Sequence, residues 1–247
     1  MNKSQIKVGI ICPLDDEYNA CKEILGLKNE SELSGRIVSE RNENNIEVYA
    51  VKAGVGKINC SSATQLVIDK FHPDFIIDAG VAGSLAKDVS INDIICAEHC
   101  YEYDPCSGKE LGKIPSGDDE SHTVISDPFY KEAFLEFSNH IQDIMTINIK
   151  IGNVVCGEKD VKNRQLRQEL HENFNGLVCN WETSAVLSVA SLNKVKAFSF
   201  RVISDLADED MKVSFDANCK PALQKMSPVL KEFIFVGWIQ KFKTVNL

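Results

Sequence analysis

The sequence predicts an α/β fold with a mainly parallel or mixed sheet. Short apolar runs rich in Ile, Val and Phe recur along the chain, and each run closes at a glycine or a polar turn. Segments with helical spacing or many small residues lie between several of these runs. Strands that alternate with helices in this way are typical of a sheet flanked by helices.

The apolar runs have the length and composition of strands that are buried in a sheet. In chain order they read KVGIIC, IEVYAVKAG, DFIIDAG, DIICAEHCYEYD, IKIGNVVCG, LVCNWE and KAFSFRVISD. Ligands of α/β folds bind at the carboxyl ends of the strands, so the residues directly after each run are the candidates for function.

Helices are predicted between and after these runs. In DEYNACKEILGL, the residues Tyr18, Cys21 and Leu25 follow the i, i+3, i+7 spacing of one helix face. The segments KINCSSATQLVIDKF and ETSAVLSVASLNK are small-residue helices suited to close packing on a sheet. The C-terminal PALQKMSPVLKEFIFVGWIQKF is a longer amphipathic element, for which proline predicts a break near Pro228.

Length and composition limit the classes of function. The 247 residues are 44% hydrophobic and 26% charged, which is typical of one globular domain over residues 1–247. A formal charge of −9 argues against a nucleic-acid partner and against an anionic membrane surface, but it permits a small neutral ligand. The N-terminal segment has too short an apolar run for a signal peptide or a membrane span.

The 9 cysteines are scattered and odd in number, and no CxxC pair occurs. Most lie in apolar runs, where a thiol acts as a small hydrophobic group, so we expect reduced thiols and a cytoplasmic protein. Cys96, His99 and Cys100 have a spacing that fits no common ligand frame, so no metal site is expected.

Acidic residues follow three of the predicted strands. They are Asp15 to Glu17, Glu182, and Asp205 with the acidic residues up to Asp210. Carboxylates in the first turn of a helix also stabilise the helix dipole. Glu182 can therefore either contact a ligand or stabilise the start of the following helix, and both interpretations stay open. Glycine turns are predicted after two other strands, in KAGVGK (52–57) and DAGVAG (78–83), and a loop or lid is predicted over 105–122.

Five segments, in their order and spacing, resemble the 5′-methylthioadenosine/S-adenosylhomocysteine nucleosidases of the nucleoside phosphorylase superfamily. They are KVGIICPLDDE, AGVGKINCSSAT, PDFIIDAGVAGSL…VSINDII, NWETSAV and RVISDLADED…SFD. The resemblance implies a single-domain three-layer fold with a central mixed, partly barrel-like sheet flanked by helices. It also implies hydrolysis of the N-glycosidic bond of 5′-modified adenine nucleosides, with water as nucleophile, no cofactor and a homodimer.

The same resemblance implies roles for particular residues. Asp205 matches the acid that protonates purine N7, and Glu17 matches the base that activates the attacking water. Glu182 matches the carboxylate that holds the ribose 2′- and 3′-hydroxyls. Phe215 matches an aromatic residue beside the ribose and its 5′ substituent, and Val55 matches an aliphatic residue of the same pocket.

The chain departs from the resemblance at the central glycine motif and before Glu182. Val81, in the GVAG segment that ends at Gly83, stands where a serine that supports the acid is expected. Asn180 and Trp181 stand where a glutamate and a methionine are expected. Because these positions belong to the base and ribose pocket, they bear on substrate identity more than on the fold.

A third departure lies in CGEKDVKN, where Asp160 takes the place of a phenylalanine that stacks on adenine. The backbone of Val161 can still contact the base, and Trp181 can supply the lost stacking surface, since a large aromatic side chain offers a broad contact area. GKIP, within 105–122, resembles a segment that reaches the pocket of a neighbouring subunit.

A physical argument separates hydrolysis from phosphorolysis. A dianionic phosphate needs arginine and backbone donors. Phosphorylases of the superfamily that this chain resembles carry glycine and arginine in the first loop and an arginine just before the central glycine motif, whereas here the first loop reads PLDDE and no arginine stands directly before DAGVAG. Water is therefore the expected nucleophile. The alternatives are a purine nucleoside hydrolase or phosphorylase of different base specificity, and a non-catalytic nucleoside-binding module.

Overall fold

The computed structural model of the chain describes residues 5–104, 123–125 and 128–243. The strands are β1 (Ile6–Cys12), β2 (Lys28–Leu33), β3 (Arg36–Glu43), β4 (Ile46–Lys52), β5 (Phe75–Ser84), β6 (Ile94–Glu102), β7 (Thr123–Ile125), β8 (Ile149–Cys156), β9 (Gly176–Asn180) and β10 (Lys196–Asp205). The helices are α1 (Asp15–Leu25), α2 (Lys57–Phe71), α3 (Pro128–Ile144), α4 (Arg164–Phe174), α5 (Thr183–Leu192), α6 (Met211–Phe235) and α7 (Trp238–Lys241). The loop predicted over 105–122 lies outside the described residues.

The described strands form one mixed sheet, part of which closes into a ring. Within the ring, β10 pairs with β5 and β6, β6 pairs with β8, β8 pairs with β9, and β9 returns to β5. The sheet continues from β5 through β1, β4 and β3 to the edge strand β2. This arrangement confirms the predicted mixed, partly barrel-like sheet.

Helices cover both faces of the sheet, as the residues of β1 show. Val8 and Ile10 belong to a core shared with α1, α3 and α6, whereas Ile11 belongs to a core shared with α2 and α5. Successive side chains of a strand point to opposite faces, so these cores lie on the two sides of the sheet. The predicted three-layer α/β fold is therefore confirmed.

A cluster of aromatic rings holds α6 against β10. The ring centroid of Phe233 lies 5.0 Å from that of Phe200, 5.2 Å from that of Phe137 and 5.4 Å from that of Phe198. Edge-to-face and offset ring pairs stabilise a fold by about 0.5–1.5 kcal/mol each beyond the burial of their area. The cluster fixes the direction of α6, whose first residues reach the carboxyl end of β10.

Each apolar run of the sequence contains a strand, but the break predicted near Pro228 is wrong. Helix α6 begins at Met211 and runs through Pro221 and Pro228 to Phe235. A proline inside a helix costs about 3 kcal/mol, which the burial of the apolar face of α6 in the core outweighs. The chain turns later, at Gly237, where φ is +102°.

The elements predicted from apolar runs and helical spacing do not include β2, β3, β7, α3 or α4. The edge strand β2 reads KNESEL and is exposed along nearly its whole length, so it has no apolar run that could reveal it. Edge strands commonly carry charged side chains, which prevent pairing with other chains.

Helix length also bears on membranes, because a spanning helix needs about 20 apolar residues. No helix in the described ranges is long and apolar enough to cross a membrane. The extent of a single domain over residues 1–247 stays a prediction, since residues 1–4 and 244–247 lie outside the described chain.

The aromatic cluster leads to a prediction about stability. Phe233→Ala should lower the free energy of unfolding by about 3–5 kcal/mol, because it leaves a cavity among buried rings. Val213→Ala, at a side chain of the same helix that is 73% exposed, should change it by less than about 0.5 kcal/mol. Urea unfolding followed by circular dichroism measures both, and equal losses would contradict the role of the cluster.

Candidate active site

One cavity lies at the carboxyl ends of β1, β5, β9 and β10, and every residue that the sequence predicts for the site lines it. Its lining includes Glu17, Val55, Val81, Gly83, Val161, Trp181, Glu182, Asp205 and Phe215. Parallel pairing of β5 with both β1 and β10 brings the ends of these strands together, although the residues are far apart in the sequence.

Gly80 and Gly83 lie inside β5 and do not form a turn after it. The strand is buried along its whole length, so the interpretation of DAGVAG as a glycine turn is wrong. A Cβ atom at Gly80 would lie 2.2 Å from Oε1 of Glu17, and one at Gly83 would lie 2.8 Å from Oδ1 of Asp205. The two glycines therefore leave the space in which two carboxylates approach the strand.

Glu17 lies in the first turn of α1 and is buried. Its Oε2 accepts a hydrogen bond from the Leu14 N–H at 2.7 Å, and its Oε1 accepts one from the Val81 N–H at 2.8 Å. Burial raises the pKa of Glu17 to about 7, with Arg201 lowering it and Glu182 raising it. A carboxyl group with this pKa can take up or release a proton near neutral pH, as a general base must.

Asp205 ends β10 and is also buried. The Ser204 hydroxyl donates to Oδ2 at 2.9 Å, and the Ala207 N–H donates to Oδ1 at 2.9 Å. Burial raises the pKa of Asp205 above its ordinary value, while these two hydrogen bonds lower it. A serine that supports the acid is therefore present at 204, next to the acid in the strand, whereas Val81 contributes its backbone N–H to Glu17.

Glu182 occupies the junction of β9 and α5, but its side chain does not cap the helix. Instead, Oε1 accepts a hydrogen bond at 3.1 Å from the N–H of Gly56, in the glycine turn before α2. Gly54 and Gly56 have φ angles of +91° and +95°, so the turn predicted in KAGVGK is confirmed. Burial raises the pKa of Glu182 above its ordinary value, and Arg201 lowers it.

Asn180, and not Glu182, makes side-chain hydrogen bonds with the first residue of α5. Its Oδ1 accepts a hydrogen bond at 3.3 Å from the Thr183 N–H, and its Nδ2 donates to Thr183 Oγ1 at 2.6 Å. The thiol of Cys156 also donates to Oδ1, with the sulfur 2.9 Å from the oxygen. The polar atoms of Asn180 are thus engaged within the protein, and the neighbouring carboxylate of Glu182 is left for another partner.

A buried ion pair between β10 and β5 was not identified from the sequence. The guanidinium of Arg201 donates from Nη2 to Oδ1 of Asp78 and from Nε to Oδ2 at 3.0 Å, and its Nη1 donates to the Val81 carbonyl at 3.3 Å. The hydroxyls of Thr183 and Ser199 donate to the same Oδ2. A charged residue inside each of two apolar runs, FSFRVISD and DFIID, is the signal that could have revealed the pair.

The other predicted residues form the walls and the rim of the cavity. Trp181 lies between β9 and α5, Val161 lies in the loop before α4, and Phe215 lies near the start of α6. Val55, in the turn before α2, is 44% exposed and lies at the rim.

Two further wall residues, Tyr103 and Met211, were not identified from the sequence. Tyr103 donates a hydrogen bond from its hydroxyl to the Lys159 carbonyl at 2.7 Å. Its ring packs against Gly157, where a Cβ atom would lie only 2.3 Å from Cε1 of the ring. Met211 is the first residue of α6. In the sequence, Tyr103 is only one residue of a predicted strand, and Met211 precedes the part of α6 that was recognised.

In the described part of the chain, no group of three or more His, Cys, Asp or Glu side chains could hold a metal ion. Of Cys96, His99 and Cys100, whose spacing fits no common metal-ligand frame, Cys100 has its sulfur 3.4 Å from that of Cys156. Each of these thiols is buried.

Comparison with known proteins gives a consistent family. The model of the phosphorylase superfamily matches residues 7–234. The chain is 29% identical over 213 residues to a 5′-methylthioadenosine/S-adenosylhomocysteine nucleosidase of Staphylococcus epidermidis, covering 85% of this chain and 90% of that protein. A nucleosidase of the same description from Exiguobacterium is 27% identical over 219 residues, with the same coverage.

Solved structures show the same fold. A 5′-methylthioadenosine/S-adenosylhomocysteine nucleosidase of Helicobacter pylori superimposes with a TM-score of 0.82 at 24% identity, covering 97% of this chain and 100% of that one. Futalosine hydrolase of the same organism gives a TM-score of 0.82 at 25% identity, covering 96% of this chain and 98% of that one.

The ion pair beneath the cavity leads to a second prediction. Arg201→Met should lower the free energy of unfolding at neutral pH by about 3–5 kcal/mol, because it leaves the buried Asp78 carboxylate without its cation. Adding Asp78→Asn to that variant should recover part of the loss, since the uncompensated charge is then removed. Urea unfolding of the two single variants and the double variant measures the coupling.

The control for this experiment is an exposed ion pair. Lys131 lies 2.6 Å from Glu98, and 51% of its side chain is exposed. Lys131→Met should therefore cost less than about 1 kcal/mol. A similarly small cost for Arg201→Met would show that the buried pair does not stabilise the fold.

Proposed function

This chain belongs to the phosphorylase superfamily, and from that membership and its cavity we propose that it is an N-ribosyl hydrolase of 5′-modified adenine nucleosides. The proposed substrates are methylthioadenosine and adenosylhomocysteine, which give their names to the nucleosidases it resembles. The observation that carries the proposal is the convergence of Glu17, Glu182 and Asp205 in one cavity.

Asp205 is the proposed general acid. A proton given by its carboxyl group to N7 of adenine allows the electrons of the C1′–N9 bond to move into the base, which then leaves. Burial in the cavity wall raises the pKa of Asp205, and this favours the protonated form that the step requires.

Glu17 is the proposed general base, which accepts a proton from the water that attacks C1′. Two backbone N–H groups hold both of its oxygens, so the carboxylate has a fixed direction. Each carboxylate oxygen has two lone pairs, so both can still contact water.

Glu182 is the proposed ribose anchor, accepting hydrogen bonds from the 2′- and 3′-hydroxyls. Oε1 accepts from Gly56, and the carboxylate keeps the capacity for two hydroxyl donors. The apolar side chains of Leu14, Met211 and Phe215 line the same cavity and suit the 5′ substituent.

Phosphorolysis is disfavoured by the way the donors of the site are used. A phosphate needs backbone N–H groups and an arginine, yet Glu17 accepts from the N–H groups of Leu14 and Val81. The guanidinium of Arg201 is engaged by Asp78. The carboxylates also outnumber this cation, and their charge repels a dianion, so water is the better nucleophile.

A hydrolase with a different purine base is the second candidate. The likeness at 25% identity to futalosine hydrolase, an enzyme named for a different substrate, favours a substrate other than methylthioadenosine. A non-catalytic nucleoside-binding module is less well supported, because it has no need of two buried carboxyl groups with raised pKa values, Glu17 and Asp205.

We further propose that two copies of the chain pair beside the cavity. Val55 at the rim is 44% exposed and Ile58, in the first turn of α2, is 81% exposed. Two large exposed apolar side chains three residues apart, one of them at the cavity rim, suit a surface that another protein covers. The GKIP segment, outside the described residues, stays predicted to reach the cavity of the partner.

A cytoplasmic location is also proposed, within methionine and purine salvage. The eight cysteines of the described chain are free and buried, including the adjacent Cys100 and Cys156. Reduced thiols are typical of the cytoplasm. Hydrolysis of methylthioadenosine would give adenine, which purine salvage can use, and 5-methylthioribose, which carries the methylthio group that methionine salvage needs.

The proposed function predicts base release that does not depend on phosphate. Purified protein should release adenine from methylthioadenosine at equal rates with and without phosphate, as chromatography of base and sugar products can show. Asp205→Asn should lower the rate by about 10²–10⁴-fold while the protein remains folded. Release only with phosphate, as a sugar 1-phosphate, would contradict hydrolysis, and tight binding without turnover would favour the binding module.

The raised pKa of Glu17 predicts a pH dependence. Because Glu17 must be ionised and Asp205 must be protonated, kcat/KM should rise about tenfold per pH unit as Glu17 ionises towards pH 7, and should fall again where Asp205 loses its proton. Glu17→Gln should leave a residual rate without this rise. A wild-type profile that is flat between pH 5 and 8 would contradict the assignment of Glu17 as the base.

A further inference from the structure

The cavity wall around Asp205 includes Cys179, Tyr103 and Val161. Asp205 lies beside Cys179, since a Cβ atom at Gly83 would be 2.8 Å from Oδ1 of the acid and 3.4 Å from the sulfur. Tyr103 and Val161 pack in the same buried cluster as Cys179. Because the acid must reach the purine, this part of the cavity receives the base if the proposed function holds.

Asp160 contributes a carboxylate to the cavity wall, and the two oxygens of that carboxylate have different surroundings. Its Oδ2 lies 3.1 Å from Nζ of Lys162, and 38% of its side chain is exposed. Within the described ranges of the chain, its Oδ1 accepts no hydrogen bond. A polar group of the ligand can therefore reach Oδ1 without breaking the ion pair.

The loop that carries Asp160 is tied to the protein through the two residues that precede it. The carbonyl of Lys159 accepts from the Tyr103 hydroxyl at 2.7 Å. The N–H of Glu158 donates to Asp104 at 2.6 Å, and Oε1 of Glu158 accepts from the N–H of Lys57. Asp160 is thus held at the cavity and does not lie on a free surface loop.

We propose that Asp160 selects the purine, by accepting a hydrogen bond from an exocyclic amino group of the base. An ionised carboxylate is only an acceptor. Adenine presents an amino donor at C6, whereas a 6-oxo purine presents an acceptor there, so the carboxylate would repel the oxo form. This inference rests on the proposed function and adds to it the residue that distinguishes 6-amino from 6-oxo nucleosides.

The selection is expected to be moderate. A site that hydrogen-bonds its substrate in a fully buried pocket discriminates by about 10⁴–10⁵-fold. Asp160 is partly exposed and is paired with Lys162, so water can replace part of a lost hydrogen bond. We therefore expect Asp160 to contribute about tenfold to the preference for the amino base.

The test is the ratio of kcat/KM for methylthioadenosine to that for 5′-methylthioinosine, measured with the full chain. Asp160→Asn should lower the ratio about tenfold and raise activity on the 6-oxo nucleoside, because an amide offers a donor as well as an acceptor. Lys162→Gln removes the ion pair alone and should leave the ratio unchanged. A ratio within twofold of wild type in Asp160→Asn, or an equal change in Lys162→Gln, would overturn the proposal.

Failure of the proposed function gives a different result. If the wild-type protein releases base from neither nucleoside, the hydrolase proposal fails, and calorimetry with adenine and hypoxanthine tests Asp160 instead. Asp160→Asn should then bring the dissociation constants of adenine and hypoxanthine closer together than they are in the wild-type protein. An unchanged ratio, in a variant whose thermal unfolding matches that of wild type, overturns the role of Asp160.

Discussion

The site depends on one buried cation, Arg201, among three buried carboxylates. Its ion pair with Asp78 follows from the parallel register of β10 and β5, in which Ser199 lies opposite Asp78 and Arg201 opposite Gly80. Burial raises the pKa of both Glu17 and Glu182, and Arg201 is the first influence that lowers each. Without this cation, burial and mutual repulsion would raise the pKa of both groups further, which disfavours the ionised form that the proposed base needs.

The same strand explains why the carboxylates can come so close. Gly80 and Gly83 leave no side chain between β5 and the carboxylates of Glu17 and Asp205. A larger residue at 80 would also strike Nη1 of Arg201, 2.6 Å from the position of a Cβ atom. Gly80 and Gly83 are therefore needed for the space that the charged side chains occupy, and not for backbone flexibility. This close packing makes the ion pair and the two proposed catalytic groups one structural unit.

Local sequence patterns predict much of the fold and the acidic residues of the site. The features that they do not predict depend on contacts between segments that are far apart in the sequence. Apolar runs indicated the buried strands, and the acids that follow them indicated Glu17, Glu182 and Asp205. The pair of Arg201 and Asp78 forms only when two strands meet, 123 residues apart in the sequence, so no local pattern specifies it. Polar elements such as β2 and the first turns of α6 likewise have no apolar run that would mark them.

The three departures from the nucleosidase pattern have different structural consequences. Val81 still supplies its N–H to Glu17, and Ser204 gives the acid its hydroxyl partner. Asn180 is engaged by Thr183 and no longer needs a ligand. Asp160 differs because one of its oxygens has no protein partner in the described chain, although the residue lines the cavity. A polar atom left open in a binding cavity is best satisfied by the ligand, so this departure bears most directly on the identity of the base.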